Sequence, residues 1–475
     1  MPIEINGKTY TDEQAQAIVD VLGTKNDVTQ PTFMQTPHGF DGNFPATGSI
    51  LSSPGRDPRM ISAVPAVLNG MAARLYSGVN RILKAEYDII TGIGAAEGTN
   101  PDGFCGTPMT AGLMSVGTTR NSFGEFFLGS GKIVLNKAGG RVNTADIDRT
   151  LVNNIAAQSP LLPDILTQPG INSFVGMMIY RFGLTALRQM ERVLYTGNVT
   201  LTGTNAANGF IKEFDGFDRL IKTGYIDAES LNPMPAADSI VEDFASASAL
   251  DPSSGIVELM ANIEYRIRTL ADESGLTPVE IELGMRPDLF QALTEVWPSS
   301  YLTTSNVVNA SAGARFVVTG TESATMRDEM RQGRYLMING MQIPVRTSTA
   351  IPQATAGDGF TSTIYYIPVS VMGERMTYLE GFDQANSEIE QFVGLMAQND
   401  YTTSNNGFWA MTKNQTAMCF ELLFAAQPRL IMRTPQLAAR IENVQYKLDG
   451  YANDPYTDSP YYRAGGRYVD ANPYT

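Results

Sequence analysis

The chain has 475 residues, 43% hydrophobic and 17% charged, with a formal net charge of -15. Its length suits two or three ordinary domains or one elaborated unit, and this composition is able to bury a substantial core. So strong an excess of acid excludes a general nucleic-acid binder, which needs clustered Lys and Arg, and sets the surface against anionic membranes.

The polar opening MPIEINGKTYTDEQ carries no secretory leader pattern, and no stretch is apolar for long enough to predict a membrane-spanning helix. Within it IEINGKTY predicts a hairpin or edge strand. Thr11 then opens a short helix, with Gln14 completing a capping box and Ala15, Ile18, Val19 and Leu22 at helical spacing. From Gly23 to about Val64 the chain reads as loop, punctuated by Pro31, Pro37, Pro45, Pro54 and Pro58. A connection this long is unusual inside a compact domain and suits an arm laid on a neighbour. VPAVLNGMAARLYSGVNRIL predicts a helix. A glycine-rich excursion follows from Glu86 to Gly140, its later half, GEFFLGSGKIVLNKAGG, alternating like paired strands around Gly129-Ser130-Gly131.

FVGMMIYRFGLTALRQMERVLYTGN, Phe174 to Asn198, predicts one long helix without proline. Phe174, Met178, Phe182 and Thr185 lie along one side, while Met177, Leu184, Leu187, Val193 and Leu194 cover much of the rest. A helix apolar around so much of its circumference needs partners on more than one side. Gly197 supplies its stop. A turn-rich connection leads to SSGIVELMANIEYRIRTLADES, an amphipathic helix with Ile256, Leu259, Met260, Ile263, Ile267 and Leu270 on one face. VEIELG predicts a strand and RPDLFQALTEVW a short helix with Pro287 near its start. RYLMINGMQIPVRTSTAIP predicts a hairpin turning at Asn339-Gly340. STIYYIPVSVMGERMTYLEGF continues in strands, and NQTAMCFELLFAAQPRLIMRTP is a long apolar segment interrupted at Pro428. The tail, VQYKLDGYANDPYTDSPYYRAGGRYVDANPYT, holds seven of the 20 tyrosines without periodicity. It suits a strap on a partner, because tyrosine offers amphipathic contact area.

Chemistry is sparse. The single histidine, His38, lies in a Gly- and Pro-rich loop, so any His-based metal site or serine triad would depend on it alone. Gly92, Gly94 and Gly98 have the wrong spacing for a dinucleotide loop, and no phosphate-binding Gly-Lys-Ser/Thr occurs. Asp146 and Asp148 fit the first turn of a helix capped by Thr144 better than a cation loop, which needs more oxygen ligands and a glycine. Cys105 and Cys419 read as two reduced thiols. No catalytic, cofactor-binding or metal-binding residue is nominated, and the expectation is a non-enzyme.

Four stretches carry a resemblance in their order: ALRQMERVLYTGN, VEIELGMRPDLFQAL, INGMQIPVRTSTAIP and CFELLFAAQPRLIMRT, spanning roughly Asn143 to Pro435. They resemble the end of the spine helix, the strand and helix of the axial domain, its hairpin, and the returning peripheral strands of the major capsid protein of tailed bacteriophages. The implied fold is α+β, of the Hong Kong 97-like type. The resemblance divides the chain into an N-terminal arm (1–85), an extended loop (86–142), a peripheral domain (143–240) with a spine helix at 172–196, and an axial domain (241–373). Peripheral return strands (374–435) with an insertion at 384–406 and a C-terminal tail (436–475) complete it. The insertion and the long tail depart from the family pattern. The implied function is a self-assembling icosahedral shell of hexamers and pentamers enclosing double-stranded DNA without sequence-specific binding. The implied location is the virion capsid, assembled in the host cytoplasm, and scaffolding, portal and decoration proteins are the candidate partners. The same fold builds encapsulin compartments, the alternative reading alongside another phage structural protein. Candidate intersubunit contacts are Phe126, Phe127, Tyr451, Tyr456, Tyr461, Tyr462 and Tyr468, and the spine helix is marked by Phe174, Met178, Phe182, Leu187 and Leu194. Some relatives weld subunits through Lys-Asn bonds, for which Lys132 and Lys137 lie in or near the corresponding excursion.

Overall fold

The computed structural model describes residues 3–5, 8–10, 70–94, 114–129, 133–134, 161, 173–245, 250, 254–305, 320–356, 359–384, 401–404, 406–416, 419–446, 462–463 and 467–468. β1 (Ile3–Ile5) and β2 (Lys8–Tyr10) pair antiparallel across Asn6-Gly7, as the sequence predicts. α1 (Met71–Leu75) runs straight into β3 (Tyr76–Asn80). The predicted single helix ends there because Gly78 adopts φ +116, outside helical space, and Val79 favours extended backbone. β4 (Glu86–Ile93) and β5 (Met114–Arg120) form an antiparallel ribbon, so the glycine-rich stretch through Gly92 is strand rather than loop.

β6 (Glu125–Gly129) and β7 (Ile133–Val134) do not pair with each other as predicted. Both pair antiparallel with one later strand, so they are successive segments of one line broken near the glycines. α2 (Ser173–Thr196) is the long helix, about 36 Å at ~1.5 Å per residue. After it come β8 (Phe210–Lys212), α3 (Phe217–Leu220), β9 (Ile240–Asp243), α4 (Ile256–Glu273) and β10 (Val279–Met285). On α4 the inward face is Ile256, Met260, Ile263, Ile267 and Ala271; Leu270, expected there, is partly exposed. α5 (Pro287–Ser305) outruns the short helix predicted, and α6 (Gly320–Gly333) follows. β11 (Tyr335–Ile338) and β12 (Met341–Thr347) form the predicted hairpin. Asn339 and Gly340 sit at φ 49 and 79, the two left-handed positions that a tight hairpin turn requires.

β13 (Ala354–Ala356), β14 (Gly359–Val371), β15 (Glu374–Arg375) and β16 (Thr377–Phe382) follow. Then come β17 (Tyr401–Ser404), β18 (Trp409–Thr416), β19 (Cys419–Ala426) and β20 (Pro428–Met432). β17 pairs with β18, so the end of the expected insertion joins a sheet. Pro428 opens β20, an edge strand, where a missing N–H costs the ladder little. β21 (Ala439–Tyr446) precedes the short pair β22 (Tyr462–Arg463) and β23 (Arg467–Tyr468).

Three sheets carry the mass. An eight-stranded sheet runs β11-β12-β10-β14-β21-β9, with β13 and β15 attached to β14. A six-stranded sheet runs β17-β18-β19-β6-β8 with β7 on β19, and a three-stranded sheet runs β20-β16-β3. Two large cores result. One gathers α4, α5, β10 to β12 and β21; the other gathers α1, the C-terminal half of α2, α3 and parts of the two smaller sheets. β14 belongs to both. Tyr365, Ile367 and Val369 face the second core, and Ile364 and Tyr366 face the first. The register with β10 then slips between Glu280 and Ile281, which flips the alternation and turns Val371 to the first core.

Two expected boundaries change. Met71, Ala72, Ala73 and Leu75 are core residues, so the end of the expected arm belongs to the fold. β21, expected in the tail, lies between β14 and β9 in the largest sheet, with Ile441, Val444 and Tyr446 fully buried. Its apolar alternation was hidden by a bulge: Ile364 pairs with Ile441 but Ser362 with Val444. Asn443, at φ 58, absorbs the irregularity.

Candidate assembly surface

The long helix α2 is the hub. Phe174, Met178 and Phe182 lie in its first half, described by backbone alone. In its second half Ala186, Leu187, Met190, Val193, Leu194 and Tyr195 are all buried, covering several helix faces. Tyr195 packs against Phe217 and Tyr365 at centroid distances of 5.7 and 5.3 Å, joining α2 to α3 and β14. The helix stops at Gly197, but not through a left-handed turn. A Cβ on Gly197 would lie 2.3 Å from the Phe214 carbonyl, and one on Gly216 would lie 2.4 Å from the Val193 carbonyl. The two glycines let backbone pass against backbone, closed by the Gly216 N–H donating to Gly197 O at 3.0 Å.

Glu191 is the one acid buried in this half of α2, 5% exposed. Its carboxylate accepts from the Met71 and Ala72 N–H groups at 3.0 and 2.8 Å, and so caps α1 from 120 and 119 residues away. Burial pushes its pKa up, against the opposing pull of the two N–H bonds, Ser348 and Arg346. Gly70 is held close, since a Cβ there would meet the carboxylate at 2.7 Å. The chain is fixed again one strand later. β3 pairs parallel with β16, and Glu380 of β16 accepts from Arg429 at 2.6 Å and Asn80 at 3.3 Å. Arg429 lies over the Phe123 ring, 4.2 Å from its centroid, and donates to the Lys84 carbonyl. The segment from α1 to the end of β3 is thereby tied to the fold at both ends by polar bonds.

The surface is apolar where the chain leaves these cores. On the β4–β5 ribbon Ile93, Met114 and Val116 are exposed; in the turn between β3 and β4 so are Ile82 and Leu83. Phe126 and Phe127 part company. Phe126 is buried edge-on against Phe210 and Trp409, at 5.2 and 6.0 Å, which removes it from the contact candidates. Phe127, the next residue on the strand, points outward at 45% exposure, beside exposed Ile211 on β8. Leu187 and Leu194 are core residues. Tyr462 and Tyr468 are register partners in the β22–β23 pair, described by backbone alone. Tyr451, Tyr456 and Tyr461 lie outside the described residues, as do Lys132, Lys137, His38, Cys105, Asp146 and Asp148.

The loop between α3 and β9 has no counterpart among the sequence-based expectations. Asp227 there accepts from the Thr118 N–H and Oγ1–H, both at 2.7 Å, and from the Ser230 N–H at 2.8 Å. These bonds, the Ser230 side chain first, hold its carboxyl well below the usual carboxylate range. The loop is further tied by Leu231 N–H to Asp227 O and Ala228 N–H to Thr118 O, at 2.9 and 2.8 Å. Among the described residues no group of His, Cys, Asp or Glu could hold a metal, and no helix is long and apolar enough to cross a membrane.

No family model matches the chain, and no curated protein matches it. Solved structures do. A chain of the cyanophage A-1(L) capsid is similar at 13% identity and a TM-score of 0.43, over 82% of this chain and 93% of that one. The capsid of the myovirus phage XM1 is similar at 10% identity and a TM-score of 0.36, over 79% and 92%. The SrpI encapsulin from Synechococcus elongatus is similar at 9% identity and a TM-score of 0.33, over 82% and 90%.

Proposed function

We propose that the chain is a structural subunit that assembles with copies of itself into a closed shell, the major capsid protein that its sequence resembles. The observation that carries this reading is the placement of the exposed apolar side chains. Ile93, Met114 and Val116 on the ribbon, Ile82 and Leu83 beyond β3, Phe127 and Ile211 on β6 and β8, and Ile226 and Leu231 in the braced loop are exposed and belong to none of the cores. Apolar surface spread over several separate elements suits a chain that covers itself against other chains, whereas an enzyme gathers its apolar lining in one cleft. Contacts of this kind are individually weak and collectively strong when many copies close a surface.

On this reading the role is mechanical and no catalysis is involved. The subunits form hexamers and pentamers, and the shell encloses double-stranded DNA in a virion assembled in the host cytoplasm. The net charge of -15 fits a wall that does not grip its contents tightly. Scaffolding, portal and decoration proteins are the partners that the resemblance adds. The test is negative-stain electron microscopy with light scattering on the chain expressed alone and with its neighbouring genes. Closed particles of uniform size are expected. A chain that stays monomeric in both settings refutes the proposal, and particles that package a protein cargo instead of nucleic acid establish the encapsulin alternative.

A further inference from the structure

Among the described residues two exposed large apolar side chains sit at positive φ, Met372 at φ 55 and Leu231 at φ 60, and Leu231, 74% exposed, is the more open of the two. A leucine in the left-handed region is sterically disfavoured, and a glycine or asparagine would occupy such a position without penalty. Among the described residues nothing compensates, because the side chain is exposed. The backbone around it is nonetheless rigidly braced by the Asp227 carboxylate, the Thr118 hydrogen bonds and the bridge between Ile226 and Pro233. Strain kept at an exposed, preorganised position points to a role outside the fold.

The chain also offers a receptor. A cleft of about 220 Å³ lies between the turn after β3 and the strands β6 and β8, walled by Leu83, Phe123, Ser122 and Gln427, and lined also by Glu125 and Lys212, register partners on β6 and β8. Cofactors and drug-sized ligands take roughly 300–1,000 Å³, so this cleft suits one or two side chains. Phe123 is fixed from behind by the Arg429 guanidinium. Exposed Lys84 lies in the chain between the lining residues Leu83 and Ala85, and exposed Glu229 stands two residues before Leu231. An acid beside the knob and a lysine beside the cleft are complementary in charge.

We infer that the loop carrying Leu231 is a docking knob for a second copy of this chain, whose cleft beside Phe123 receives the leucine while Lys84 faces Glu229. This rests on the shell reading and names one of its contacts. Leu231→Gly separates the knob from the fold, because it relieves the backbone while deleting the side chain. The expected result is a subunit that denatures at the same temperature as the parent or higher, with assembly reduced by about tenfold or more at the concentration where half the parent assembles. A Leu231→Cys/Ser122→Cys double variant, oxidised within assembled particles, is expected to give intersubunit disulfide-linked species that neither single variant gives. Leu231→Gly particles forming like the parent's, or no cross-link in assembled double-variant particles, overturn the contact and leave the shell reading intact. A parent chain that never assembles overturns both.

Discussion

Replacing Glu191 by alanine tests whether the long helix holds the start of α1. The substitution removes the acceptor of two N–H groups, on Met71 and Ala72, that are 0% and 1% exposed. Each stranded buried donor costs about 1–3 kcal/mol, offset in part because a buried carboxylate no longer has to be desolvated. The expected net loss is about 2–4 kcal/mol, read from the urea midpoint at constant m-value. Hydrogen exchange at Met71 and Ala72 should accelerate more than in the α4–β10 core. The pH dependence has a definite sign. Burial raises the carboxyl above its usual value of 4.5, so the folded state holds the proton more tightly than the unfolded one. Stability from this group is full below that value and falls as pH rises through the raised one. Glu191→Gln abolishes the dependence, so its penalty relative to the parent should be larger at pH 4.5 than at pH 7. A Glu191→Ala protein within about 0.5 kcal/mol of the parent, with unchanged exchange at both amides, would refute the reasoning, since surface changes rarely exceed that figure.

Other perturbations separate the remaining claims. Gly216→Ala forces a Cβ to within 2.4 Å of the Val193 carbonyl and should cost about 3 kcal/mol or more by calorimetry, against backbone that cannot move aside. Glu380→Gln leaves the buried Arg429 cation without its carboxylate and should cost about 3–5 kcal/mol, while the double change to apolar residues of similar size should cost much less. Truncation after Lys447 should leave a soluble subunit with an unchanged melting temperature. Truncation after Pro435 removes β21, which joins β14 to the edge strand β9 in the largest sheet, and should give insoluble chain, as judged by fractionation of the lysate. Acidification below the usual carboxylate range should loosen the Leu231 loop as Asp227 takes up its proton, seen as faster exchange at Ser230 before global unfolding.

Local rules in the sequence determined the elements whose cause is local. Asn339-Gly340 specified its hairpin through two left-handed residues, α4 through Ile256, Met260, Ile263 and Ile267 at helical spacing, and α2 through a long proline-free run ending at glycine. The α+β class was equally legible. Only the tertiary structure decided what depends on a distant partner. Alternation says that one of Phe126 and Phe127 points inward, but the pairing with β8 and β19 chooses which. Glu191 reads as one acid in an apolar run until α1 brings it two donors from 120 residues away. β21 looked like tail because a bulge broke its period, and β14 and β9 supply the edges that make it core. Gly197 was expected to act through its own backbone freedom, whereas the fold needs it for the space that Phe214 and Gly216 occupy. In each case the sequence carries the residue and the fold carries the contact, because burial and hydrogen bonding are properties of pairs that sequence distance does not record.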